Sequence, residues 1–258
     1  MRTISILAKR ELRAYFYSPI AYAVIFMFLF IAGYFFFAAM DRYTYASFEM
    51  SRMAQVAGPQ QLTIAQFVVT PLFGNMSVVM LLMTPLVAMR LFSEEKKAGS
   101  IELLFTWPAT DFQIALGKYL AGLAVMVVML AATAPFIGFL WLHTAPPWGS
   151  LLCGYLGLGL QAAAFLALGL FVSTLTENQI ISATISFGAL LIFWIGGWTV
   201  AGKTDMFSQI VAYLSIMEHF NNLARGILDS RDVIYFLSFT IFFLFLTLRS
   251  LEAEKIGG

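Results

Sequence analysis

Between two long apolar runs the chain reads Ser93-Glu94-Glu95-Lys96-Lys97-Ala98-Gly99-Ser100-Ile101-Glu102-Leu103-Leu104. Five charged side chains fall between Glu94 and Glu102, in a chain of 258 residues that has only 15 basic and 14 acidic side chains. Charge at that density is too costly to place in hydrocarbon, so the segment must stand in water directly against a membrane. The runs on either side are then membrane spans, and the fold class is all-α and integral to the membrane. Composition agrees, at 60% hydrophobic and 11% charged residues, where an ordinary soluble domain is about one quarter charged. A net charge of +1 leaves no basic footprint for nucleic acid. The one cysteine, Cys153, excludes an internal disulfide framework and a cysteine-based metal site.

A helix needs about 20 apolar residues to cross ~30 Å of hydrocarbon. That length places six spans near 19–40, 70–92, 112–142, 150–174, 179–200 and 232–250. No run alternates as a barrel strand would, and lipid offers the backbone no other way to be satisfied than a helix. The first run is longer than a signal-peptide core of about 7–15 residues, which predicts an uncleaved first span. Pro85 and Pro135 fall inside spans and predict kinks or local unwinding. Lys118, near the start of the third span, is expected to snorkel outward. Six spans return both termini to one side. With that side cytoplasmic, ten of the Lys and Arg residues lie inside and five outside, as the positive-inside bias requires.

Two flanking segments are amphipathic. Residues 2–17 set Ile4, Leu7, Ala8, Leu12, Tyr15 and Phe16 at helical spacing, with Lys9, Arg10 and Arg13 elsewhere. That pattern fits a helix lying in the inner interface with its cations near anionic head groups. Residues 206–228 put Met217, Phe220, Ala224 and Ile227 on one stripe and Glu218, Asn221, Asn222 and Arg225 away from it, an outer interfacial helix before the last span. Met217, Phe220 and Arg225 are its candidates for a partner contact or gate.

Two motifs suggest chemistry and fail on context. Gly197-Trp198-Thr199-Val200-Ala201-Gly202-Lys203-Thr204 matches the phosphate-loop pattern, but that loop needs a strand before it and a helix after it, and here a span precedes it. Glu218 beside His219 invites a metal or acid–base reading, yet adjacent side chains share no helical face and no third ligand is evident. The plainer reading is a solvated interfacial pair. The spans are nearly free of ionisable residues, so no intramembrane catalysis or proton relay is expected, and the chain needs an external source of energy. Small residues crowd the fourth and fifth spans, among them Gly154, Gly157, Gly169, Gly188 and Gly197; close helix packing is the default explanation, and a dimer interface or a translocation path fits the same residues.

Within the charged segment, Gly99 suits the position just past a helix end. Ser100 is a good N-cap for the helix that follows, and Glu102 falls in its first turn. Ile101, Leu104 and Phe105 form a compact apolar face, Pro108 stops the helix, and Asp111 can cap the third span. A helix this short is unstable alone and makes sense seated in a partner's groove.

The run Glu94 to Leu104, followed by Pro108, Asp111 and Gly117-Lys118, resembles the E-E-[KR]-x-x-G-[ST]-[IL]-E-x-L-L…P…LGK signature of ABC-2 type transporter permeases. The opening helix ending in Tyr17-Ser18-Pro19 is similar to that family's start. The stretch Glu218-His219-Phe220, Arg225-Gly226, Asp229 to Asp232 and Tyr235-Phe236 resembles its gliding-motility-associated (GldF-like) branch. The resemblance implies a single ABC-2 transmembrane domain over residues 1–258 in a bacterial inner membrane. It implies an N-terminal amphipathic helix and a cytoplasmic coupling helix, with Glu94, Glu95, Gly99, Ser100, Ile101, Glu102, Leu104 and Phe105 as the set coupled to the ATPase. It further implies cytoplasmic ABC ATPase subunits that hold ATP and Mg, a second permease chain (a copy or a paralogue), and no catalysis or cofactor in this chain. Export of an unknown substrate is expected, with a lipidic one suiting the apolar spans. The competing expectation is a subunit that transmits force to a periplasmic or envelope accessory protein without transport.

Overall fold

A computed structural model of the chain describes residues 2–57, 64–100, 109–144, 146–200 and 205–257. The described residues are helical, with no strand among them. In chain order the helices are α1 (Arg2–Tyr17), α2 (Pro19–Ala57), a π-helical turn (Ala65–Val69) running into α3 (Thr70–Ala88), the short α4 (Ser93–Lys97), α5 (Asp111–Ala131), α6 (Ala134–His143), α7 (Trp148–Leu175), α8 (Gln179–Val200), α9 (Met206–Tyr213), α10 (Ile216–Ala224) and α11 (Ser230–Gly257). Six helical runs are long and apolar enough to cross a membrane: α2, α3 with its π turn, α5 with α6, α7, α8 and α11. Both termini lie at one end of the bundle, beside α4 and the start of α5.

α7 is the hub, packed against α3, α5, α8, α10 and α11. Its small residues explain why. A Cβ on Gly154 would lie 2.3 Å from the Phe73 ring, and one on Gly169 would lie 2.4 Å from Ala88 Cβ. Without a strong hydrophobic drive between helices in lipid, such close approach supplies the attraction. The packing explanation does not extend to Gly188 of α8, where an added Cβ would meet nothing within 4 Å beyond its own helix backbone. The outward faces of α2, α8 and α11 carry Phe30, Phe37, Ile192, Ile241 and Phe242, all exposed, while Phe36 and Phe243 turn inward.

Three boundaries differ from the sequence reading. α2 spans 39 residues, about 58 Å at 1.5 Å per residue, and so outruns the hydrocarbon by several turns instead of stopping near residue 40. Nothing in Asp41–Ala57 breaks a helix; only its polarity changes. The third span is interrupted at Ala132 and Thr133, where Pro135 withholds an N–H and the Thr133 hydroxyl bonds Leu130 O at 2.6 Å. The outer amphipathic segment is two helices, α9 and α10, parted by a turn at Leu214 and Ser215. Pro85 sits within α3, which ends one turn later at Ala88.

Candidate functional site

The end of the bundle that bears both termini carries most of the ion pairs. α4 is a single turn and a half whose C-terminus closes on Gly99 at φ +65°, the left-handed region that a side chain resists. Gly99 N–H donates to Lys96 O and Ser100 N–H to Glu95 O, both at 3.0 Å, the paired bonds of a Schellman ending. Gly99 thus stands where its sequence context placed it. Ser100 closes the α4 end, and its hydroxyl also donates to Glu95 O at 3.3 Å. Ile101, Glu102, Leu104, Phe105 and Pro108 lie outside the described residues.

Two arginine and lysine centres hold α4 in place. Arg90 grips Glu94 with two N–H groups, at 2.9 and 3.1 Å, and donates to Ser18 Oγ at 2.7 Å. Beside it Tyr15 of α1, its hydroxyl pushed up by burial, donates to Val87 O at 2.7 Å. The second centre is Lys118 of α5. Its ammonium does not snorkel: the side chain is 1% exposed, with Glu95 Oε1 at 2.9 Å and Glu11 Oε1 at 3.4 Å. It also lies 5.2 Å from the centre of the Phe92 ring. The cause is the preceding glycine. A Cβ on Gly117 would come within 2.9 Å of Leu7 Cβ, so α1 can lie directly on α5 and roof the lysine. Arg10 of α1 completes the cluster, 2.8 Å from Glu11 and 3.4 Å from Glu95.

Glu94 and Glu95 are therefore engaged inside the chain, while Lys9 and Arg13 face outward from α1. Burial pushes the Glu95 carboxyl above the ordinary carboxylate range, against the pull of Lys118. Its second oxygen is buried with no hydrogen-bond partner among the described residues.

The start of α5 is capped by Thr110, not Asp111. The Thr110 hydroxyl accepts from Gln113 N–H at 3.3 Å and the Gln113 side chain accepts from Thr110 N–H at 3.4 Å, a reciprocal capping box. Asp111 is thereby free to pair with Lys255 near the end of α11. The neighbouring residue, Glu254, meets Lys96 of α4 at 2.7 Å.

At the opposite end α10 buries Ile216, His219, Phe220 and Leu223. Of the contact or gate candidates, Phe220 is buried in the bundle and offers no surface to a partner, Met217 is half-buried and Arg225 is exposed, as is Ile227. His219 corrects the solvated-pair reading. It is buried, and its partner is Asp232, not Glu218: Nδ1 lies 2.6 Å from Asp232 Oδ1. Nε2 donates to Tyr213 O at 2.9 Å, and the ring stacks on Tyr235 at 4.0 Å. Asn222 donates to the other Asp232 oxygen at 3.0 Å. Both pairings, Lys118–Glu95 and His219–Asp232, escaped the sequence because they join residues on different helices. One signal was available: Asp232 is an acid within the last apolar run.

No group of three or more His, Cys, Asp or Glu residues able to hold a metal occurs among the described residues. The phosphate-loop match begins at the end of α8, so a helix stands where its strand would be, and residues 201–204 lie outside the described residues.

A family model described as ABC-2 family transporter protein matches residues 5–253. None of the curated proteins matches the chain.

Proposed function

The chain belongs to the ABC-2 family of transporter proteins, and from that premise we propose that it is the permease subunit of an ABC-2 exporter, docked to ATPase subunits through residues 94–105. Membership implies a multi-pass membrane subunit that associates with ABC ATPases. The observation that carries the docking assignment is the bracing of α4. Lys118, Arg10 and Arg90 fix Glu94 and Glu95 from within, so Gly99 and Ser100, which lead into the connection, stand on a braced turn. In this reading Glu94 and Glu95 position the contact, and Ser100, Ile101, Glu102, Leu104 and Phe105 make it. Both termini and this connection face the cytoplasm, Lys9, Arg10 and Arg13 of α1 lie along the inner leaflet, and the membrane is a bacterial inner membrane. ATP and Mg belong to the partner ATPase, and a second permease chain completes the unit. The gliding-motility-associated branch is the sub-family we favour, on the Glu218–Phe236 stretch. The spans offer a cargo few polar groups, and an amphipathic or lipidic substrate suits them best.

The test is Leu104→Asp in the reconstituted complex. The six spans should insert as before while the ATPase is lost and ATP-driven activity disappears. Retention of the ATPase with full activity overturns the docking assignment.

One observation favours a second reading, force transmission to an envelope partner. α2 runs to Ala57, roughly 25 Å beyond residue 40, and α9 and α10 lie at the same end of the bundle, extra structure for a partner contact that a transport path does not need. Arg225 and Met217 then belong to that contact and Phe220 to its packing. Stimulation of ATP hydrolysis by an extracytoplasmic partner, without movement of any substrate, selects this reading over export.

A further inference from the structure

Consecutive residues of α11 are tied to the two ends of the connection that joins α4 to α5. Glu254 Oε1 meets Lys96 Nζ at 2.7 Å, on the near side of the connection, and Lys255 pairs with Asp111 on the far side. The first pair is partly shielded, with Lys96 12% and Glu254 30% exposed. The order of charges fixes the arrangement: exchanging partners would set lysine against lysine and carboxylate against carboxylate, a repulsive pairing. Gly99 to Thr110 is thus held at both feet by the last turns of one helix.

The other end of that helix is tied as well. Asp232 bonds His219 and Asn222 of α10, and the Tyr235 hydroxyl donates to Leu214 O, in the turn after α9, at 2.7 Å. Between Asp232 and Glu254 lie about 33 Å of helix with neither proline nor glycine, the residues at which helices kink most sharply; the Thr240 and Thr247 hydroxyls back-bond to Phe236 O and Phe243 O, which bends a helix gently without breaking it. A helix fastened at both ends and lacking a hinge moves as one body. Its cytoplasmic fastening is to the connection read above as the ATPase contact.

We propose that α11 is a strut that carries displacement of α4 and the start of α5, the two elements flanking that connection, across the membrane to α9 and α10, with Glu254 and Lys255 as its positioning residues. The proposal rests on the reading of that connection as the ATPase contact. The strut gives the outer helices a direct mechanical link to ATP hydrolysis, alongside α7, on which α11 packs.

The experiment uses the full chain with its ATPase subunits in lipid nanodiscs, in a Cys153→Ser background. Spin labels at Thr44 of α2 and Ile210 of α9, both exposed, report the distance between outer elements with and without trapped nucleotide. The unaltered complex should show a nucleotide-dependent shift. Glu254→Lys should abolish the shift and lower ATPase stimulation about fivefold or more while the ATPase stays bound. Glu254→Gln, which keeps the shape, should reduce both. Lys96→Glu combined with Glu254→Lys should restore both, which ties the effect to the attraction within this pair. A shift that survives Glu254→Lys, or none in the unaltered complex, overturns the strut. Leu104→Asp separates the two ideas. If it leaves the ATPase bound and the shift intact, the docking reading has failed. If it releases the ATPase while Glu254→Lys changes nothing, the strut alone has failed.

Discussion

Lys118 Nζ lies 2.9 Å from Glu95 Oε1 at the junction of α1, α4 and α5, with the lysine side chain 1% exposed. Burying an ammonium is expensive unless carboxylates surround it. Here two do, Glu95 and Glu11, and Phe92 adds a ring face. The cluster therefore makes the placement of α4 depend on α1, which is otherwise a helix lying on the outside of the bundle.

Removal of one partner should cost more than the pair is worth. Lys118→Met leaves Glu95 and Glu11 facing each other in a shielded site, and the expected loss is up to about 3 kcal/mol, discounted because Glu95 retains some exposure. Adding Glu95→Leu should recover part of it, since an apolar pair tolerates burial. Thermal unfolding of the solubilised protein, followed through tryptophan fluorescence, compares the three forms. Equal stability of Lys118→Met and the unaltered chain would remove the cluster from any structural role.

The hub position of α7 makes a sharper demand. Gly169 faces Ala88 so closely that an added Cβ would lie 2.4 Å from the alanine's own, and neither atom can rotate away. Gly169→Ala should cost about 1–3 kcal/mol by overpacking. Ala88→Gly in the same chain should relieve most of that, and Ala88→Gly alone should cost less. The same unfolding measurement decides it; a Gly169→Ala chain of undiminished stability would mean that α3 and α7 part without penalty.

The spans were legible because each needs a run of about 20 apolar residues, and all six were found where such runs lie. What escaped has physical causes. A hydropathy run ends at the membrane surface, but the helix need not, so α2 continues to Ala57 through residues that are merely polar. Gly99 could be placed because a helix end and its glycine are local. Asp111 was misassigned as a cap because Thr110 and Gln113 satisfy the helix start themselves, which turns the acid toward Lys255. Sequence adjacency pairs His219 with Glu218, whereas its partner lies thirteen positions on. Pairings between helices follow from packing, and packing here is set by Gly117, Gly154 and Gly169, whose contacts no local pattern discloses.

The left-handed turn after α4 gives a prediction at the proposed ATPase contact itself. Gly99→Ala forces a Cβ into φ +65° and should cost about 1 kcal/mol, although no atom would crowd it. Gly99→Asn should cost less, because asparagine tolerates that region. If the Schellman ending aims the connection, both substitutions weaken ATPase retention in that order. Titration of the ATPase onto nanodisc-held protein measures it, and reversal of the order would show that something other than backbone conformation governs the contact.

At the opposite face the His219–Asp232 pair sets how firmly α10 is held. Tyr213 O can only accept, so Nε2 donates to it, and the other ring nitrogen is left for Asp232. No other side chain supplies two directed nitrogens on one flat ring that also stacks on Tyr235. His219→Ala strands a shielded carboxylate on Asn222 alone, at a cost of about 2 kcal/mol. Hydrogen exchange should then quicken roughly thirtyfold at the amides of α10 and the turn at Leu214. α7, which α10 packs against through Leu223 and Gly157, should keep its protection. His219→Gln reaches one partner at most and should fall between. Exchange that quickens along α7 as well would mean that the pair supports the hub and does not simply fasten the outer helices to α11. Exchange unchanged at α10 would mean that apolar burial of Ile216, Phe220 and Leu223 holds the helix without it.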